Sequence, residues 1–172
     1  MIGVINASPL IYLGKIGALY LVPQLFAQVF TTPVVKLEVL RVEHAPERPV
    51  LEEAFEAWLE LAAPQDTTLL NRLLRLQLHQ GEAGILTLAK ELKMEREDTI
   101  GIIDDLAARE VARTLGIPVT GTIGILLRGT KTELISKNEC KRYLRKIIED
   151  TDFHLSIKLY SKLVRELEEL EP

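Results

Sequence analysis

Asp104 and Asp105 stand side by side where the apolar run Thr99–Ile103 ends and a helical pattern through Leu106, Ala107, Val111 and Ala112 begins. The run reads as a buried parallel strand. Open α/β sheets bind ligands at the carboxyl ends of such strands. Two adjacent carboxylates repel each other, so a site that keeps both ionised needs a cation beside them. The chemistry then depends on which other acidic groups reach the same edge.

Two glutamates are candidates. The spacing puts Glu38 on a helical face with Val34, Val35 and Val42, and Lys36 and Glu43 on the other side. Glu82 precedes Ile85, Leu86 and Ala89 by three, four and seven residues, so it falls on an apolar stripe. A carboxylate facing a core is costly unless it is paired or binds a metal. Each has an ordinary explanation when taken singly. Glu82 lies in a first helical turn, where the dipole favours negative charge, and a buried arginine would satisfy Glu38. Taken with Asp104 and Asp105 they describe an acidic cluster suited to Mg²⁺ or Mn²⁺, which prefer oxygen ligands and retain several waters.

Asn6 ends the first apolar run, Ile2–Ile5, as Asp104 ends a later one. Neighbouring parallel strands would bring the two ends together. The Asn6 amide oxygen can coordinate a cation without adding charge, or it can simply shape the turn before Ser8. Ser8-Pro9 reads as an N-cap followed by proline at the first helical position. A role for Ser8 in holding water is secondary to that.

The elements that must position these groups follow from pattern. A strand over Ile2–Ile5 leads to a helix through Leu10, Leu13 and Ile16 to Gly17. Val29–Thr32 is a second strand, and Pro33 opens a helix through Val42. The loop Glu43–Pro49 follows, then helices over Leu51–Ala62, Thr68–His79 and Gly81–Lys93. After the strand Thr99–Ile103 come a helix over Asp104–Leu115 closed by Gly116, a strand Ile117–Val119 and a helix beginning at Gly121-Thr122. Alternating strands and helices predict a parallel sheet covered on both faces. From Glu133 the chain is helical and charged, with Lys137, Lys141, Arg142, Arg145 and Lys146, then Lys158 to Glu171.

With 172 residues, 47% of them hydrophobic, the chain fits one compact domain with a sizeable core. A net charge of -4 argues against a globally basic nucleic-acid binder while leaving room for a local basic rim. Cys140 is the only cysteine, which excludes an intrachain disulfide and a cysteine-rich metal site, and His44, His79 and His154 lack ligand spacing. The uncharged stretch from Ile16 to Val35 matches a membrane span in length. Its Pro23, Pro33, Gln24, Gln28, Thr31 and Thr32 instead predict a short helix, a buried strand and a second helix start. No basic region precedes the first apolar run, so a signal peptide is not expected, and a cytoplasmic location is.

Asn6-Ala7-Ser8-Pro9-Leu10-Ile11, Gly81-Glu82-Ala83 with Leu88-Ala89, Asp104-Asp105-Leu106-Ala107-Ala108-Arg109 and Val119-Thr120-Gly121-Thr122-Ile123-Gly124 together resemble PIN-domain proteins, and more narrowly their VapC-like subgroup. The resemblance covers roughly residues 1–134 in order. It implies a three-layer α/β/α fold with a central parallel sheet and a PIN-like domain over 1–134; the charged tail, read from its own pattern, is a helical extension over 135–172 packed on the same domain or on a partner chain. The resemblance also implies an acidic Mg²⁺ or Mn²⁺ pocket used as an endoribonuclease. Carried over position by position, the acids fall at Glu38, Glu82 and Asp104, with Asp105 beside it. Asn6 stands where the family has an aspartate.

In that reading Asp104, Glu82 and Glu38, helped by Asn6 or Asp105, hold one or two cations that activate water for in-line attack on phosphate. Ser8 or Thr122 positions water or a phosphate oxygen, and Arg109 either guides substrate or pairs with the acids. Arg72, Arg75, Arg113 and Lys141 to Lys146 are available to RNA, and solvated helix faces explain them equally well. The resemblance further implies a small antitoxin partner that inserts an arginine into the pocket, and a homodimer. The competing expectation is a catalytically silent PIN-like binding protein, with Asn6 as the lesion. A phosphate-accepting receiver domain fits poorly, because the first strand supplies only Asn6 and Val119 is followed by Thr120 rather than lysine.

Overall fold

A computed structural model describes residues 1–169. Five parallel strands form one sheet: β1 (Ile2–Ile5), β2 (Gln28–Thr31), β3 (Leu59–Leu61), β4 (Thr99–Ile102) and β5 (Val119–Thr120). Their order is β3-β2-β1-β4-β5. The strands of the centre read as unbroken apolar runs because helices cover both faces, and all of β1 is buried. The chain builds outward from β1 through β2 to β3, then crosses to β4 on the other flank of β1. The β1–β4 boundary is therefore the topological switch point, where a crevice opens beyond the strand ends. Register fixes what meets there. Ile2 pairs with Thr99 and Ile5 with Ile102, so Asn6 and Ile103 follow together, and the Asn6 amide donates to Ile102 O at 3.0 Å.

Helices complete three layers. On one face α6 (Gln80–Glu95) packs on β1 and β4, flanked by α5 (Thr67–Arg75) and α7 (Leu106–Thr114). The other layer centres on α1 (Ala7–Ile16), which meets α4 (Arg48–Ala57), α8 (Thr122–Lys131) and α9 (Lys137–Glu149). Short α2 (Leu21–Leu25) packs on α8, and α3 (Pro33–Val39) touches both α1 and α6. Ile5, Leu10, Leu13, Ile85, Leu86, Ile102 and Ile125 are among the fully buried side chains of the core. In the tail, α9 buries Cys140, Tyr143, Leu144 and Ile147. It is tied to α10 (Ile157–Glu169) by Lys141–Glu168 at 3.1 Å. Glu171, the end of the expected charged run, lies outside the described residues.

The parallel α/β architecture and the splitting of Ile16–Val35 into helix, strand and helix match expectation. No described helix is long and apolar enough to cross a membrane. Several boundaries differ. The helix expected over Leu51–Ala62 is α4 followed by β3, an edge strand of three residues paired with Val29–Thr31. Its Glu60 and Leu61 are exposed, so no alternating pattern announces it. The third helix ends at Val39 rather than Val42, leaving Val42 58% exposed on the following turn. Ser8 does not cap α1. Asn6 occupies that position, with extended backbone and a side chain that caps nothing, and Ser8 lies half-buried in the first turn.

Candidate active site at the strand ends

The adjacent aspartates divide their work. Asp105 caps α7, accepting from Ala108 N at 2.8 Å, and stays exposed. Asp104 turns the other way, toward the start of α8. Thr122 donates its backbone N–H to Oδ1 at 2.8 Å and its hydroxyl to Oδ2 at 2.6 Å. Gly121 makes this approach geometrically feasible: a Cβ there would sit 2.5 Å from Asp104 Oδ1 and 3.1 Å from Arg109 Nη1. Burial raises the Asp104 carboxyl above its ordinary range, opposed by the Thr122 hydrogen bonds and the Arg109 charge. Arg109 donates to Ile103 O at 2.9 Å, so the β4 backbone tethers it beside the aspartate.

Thr122 is itself fully buried and spends both donors on Asp104. In this structure it orients a carboxylate rather than offering its N–H to phosphate. Thr122→Val should therefore remove the hydroxyl donor and push the Asp104 pKa further up. Carboxyl ¹³C NMR titration of the metal-free variant beside wild type checks this, and an unmoved or lowered value would contradict it.

Glu38 approaches from α3. Thr32 caps that helix by accepting from Val35 N at 3.3 Å, and its methyl lies against Gly84, which brings α3 close to α6. The apolar face expected around Glu38 does not form as drawn. Val35 and Val39 are buried, while Val34 is 41% exposed and Glu38 is exposed on the flank. Its carboxylate nonetheless bends over the start of α6. An ideal Cβ built on Gly81 would lie 3.1 Å from Glu38 Oε2 and 3.6 Å from Asn6 Oδ1. Asn6 is 5% exposed, and its Oδ1 is buried with no hydrogen-bond partner among the described residues.

Glu82 stands half-buried beside this group, on the flank of the stripe formed by Ile85, Leu86 and Ala89. It accepts from His79 N at 3.0 Å, closing a cap on α6. Burial raises its pKa, the charges of Asp105 and Glu38 add to that, and the His79 N–H opposes it. The sheet edge thus gathers Asn6, Glu38 and Glu82 on one side and Asp104 with Thr122 and Arg109 on the other. Asp105 lies within electrostatic reach of Glu82.

Tyr12 belongs to the same neighbourhood, one turn after Ser8 on α1. Its ring meets Phe153 edge-on at 5.0 Å, and burial raises its pKa, with the nearby Asp152 carboxylate and then Asp104 adding to the upward pull. The (i, i+4) spacing from Ser8 is the one sequence signal that points to it. Among the basic candidates, Arg113 pairs with Glu110 and Lys141 with Glu168, while Arg72 and Arg75 are exposed on α5.

Among the described residues no three acidic, histidine or cysteine side chains come close enough to hold an ion together. The donors fit a hard divalent cation in kind, being all oxygen. They also fit in one specific respect: the orphaned Asn6 oxygen and the Glu38 carboxylate share the bare backbone at Gly81. An unpaired buried carbonyl costs about 1–3 kcal/mol, and a cation or its water would relieve that cost.

A family model described as a PIN domain (DUF3368) matches residues 2–169. No curated protein matches the chain.

Proposed function

The chain belongs to the PIN-domain family, a nuclease superfamily, and on that premise we propose that it is a Mg²⁺- or Mn²⁺-dependent endoribonuclease of the VapC-like toxin type. The observation that supports the reading is that Asn6 and Asp104 follow the ends of neighbouring strands at the β1–β4 switch point, with Glu38 close to Asn6 over Gly81 and Glu82 within electrostatic reach of Glu38 and Asp105. A divalent ion bound there would acidify water and offset charge on the phosphate. The residues of this chain do the rest. Asp104, Glu38 and the neutral Asn6 supply ligand oxygens, and Asp105 adds negative field from the cap of α7. Thr122 and Arg109 hold Asp104 in one orientation. Glu82, whose pKa burial raises, would be the group to take a proton from the attacking water. Ser8, in the first turn of α1 after Asn6, would orient that water through its hydroxyl.

In this reading 1–134 carries the catalytic unit and 135–172 an extension laid on it. RNA is the substrate, and the protein acts in the cytoplasm as a homodimer restrained by a small antitoxin. Support for a protein partner comes from exposed apolar residues near the acidic edge: Val34, Leu37 at 75% and Leu61 at 45%. Asn6 favours the competing reading of a silent RNA-binding PIN protein. Incubating mixed single-stranded RNAs with Mn²⁺, Mg²⁺ or EDTA separates the two. Cleavage that EDTA stops is expected. Retained RNA binding without cleavage in either metal would favour the silent protein.

A further inference from the structure

We infer that Gly81 is a positioning residue of the site: it keeps open a seat for one divalent cation between Asn6 Oδ1 and Glu38 Oε2. This rests on the metal-dependent reading above and adds a position whose side chain contributes nothing except its absence. Two independent observations meet there. Asn6 is nine-tenths buried, stands where its side chain should cap α1, and leaves Oδ1 with no partner among the described residues. Separately, the space above Gly81 is the space that a Cβ would share with Glu38 Oε2 at 3.1 Å and Asn6 Oδ1 at 3.6 Å. Both oxygens are acceptors, so neither satisfies the other, and what lies between them must donate or carry positive charge. Mg²⁺ and Mn²⁺ bind oxygens at about 2.1 Å and keep several waters. A methyl carbon at Gly81 would take up room needed by the ion and its waters. Alanine suits the helix at least as well as glycine, so the bare backbone is not there for the sake of α6. The flexible end of Glu38 would yield to the new methyl by turning outward, removing the second oxygen as well.

The test uses Mn²⁺ alone, titrated by calorimetry and by the loss of its free-ion EPR signal, with metal-free melting curves alongside. Gly81→Ala is expected to weaken Mn²⁺ binding by about tenfold or more while melting, metal-free, at or above the wild-type temperature. Asn6→Ala is expected to weaken it similarly, and its metal-free stability should show no loss of a hydrogen bond. If both variants bind Mn²⁺ as wild type does, while Asp104→Ala abolishes binding, the ion sits elsewhere. The inference then fails and the nuclease reading stands. If Asn6→Ala keeps Mn²⁺ affinity but melts early, the amide serves Glu38 as a donor, which also overturns it. Wild-type protein that binds no Mn²⁺ would end both.

Discussion

Asp104→Asn is expected to do two opposite things: stabilise the metal-free protein and remove RNA cleavage. The replacement keeps the shape and both contacts to Thr122, since the amide oxygen can accept from the backbone N–H and the amide nitrogen can donate to the hydroxyl. Only the charge goes. The Asp104 pKa is raised in the fold, chiefly by burial, above an ordinary value of 3.8. The ionised form is therefore less favoured in the folded than in the unfolded chain, and it costs stability at every pH above the folded pKa. That cost fades as pH falls through the folded value and is absent below about 3.8. Urea unfolding without metal should show Asp104→Asn more stable at pH 7, the gap closing toward pH 3.5 or so. Cleavage should fall by about 100-fold, the upper end of what loss of a metal-site partner costs. A variant less stable at pH 7 would mean that Arg109 and Thr122 outweigh burial. A variant that cuts RNA as fast as wild type would remove Asp104 from the mechanism.

What the sequence makes legible here is what local pattern encodes. Ile2–Ile5 and Thr99–Ile103 read as strands because a central parallel strand is largely apolar, and the second ends one residue earlier, at Ile102. β3 does not read as a strand because Leu59–Leu61 is too short and too exposed to break the helical look of its surroundings. Glu38 was legible as an acid near the core but not in its posture, since α3 stops a turn early and leaves it on the flank. The pairing of Asp104 with Thr122 spans eighteen residues and depends on β5 lying beside β4. The orphaned oxygen of Asn6 could not be anticipated at all. An asparagine at a helix start ordinarily caps, and only the packing of α3 and α6 around it shows that this one does not.

Asn6→Asp tests whether that oxygen is a weakened ligand or an idle one. The substitution preserves volume and adds a charge at a position 5% exposed, close to Glu38 and across the strand ends from Asp104. Without metal the new carboxylate has burial and like charges against it. The metal-free melting temperature should fall, and fall most above the raised pKa of the introduced acid. With Mn²⁺ the sign reverses, because a charged ligand replaces a neutral one where a cation sits. A tenfold gain in affinity corresponds to about 1.4 kcal/mol. Binding to the folded state alone converts that gain into a larger metal-induced rise in melting temperature. The expected signature is thus a protein less stable than wild type in EDTA and further stabilised by Mn²⁺, with cleavage increased by about tenfold at subsaturating metal. If EDTA-treated Asn6→Asp is destabilised but its Mn²⁺-induced shift equals that of wild type, the oxygen at this position does not reach the ion. Stronger Mn²⁺ binding without any cleavage would instead mean that the charge lost at Asn6 is not what limits this PIN domain, and attention would move to the lock that Thr122 places on Asp104.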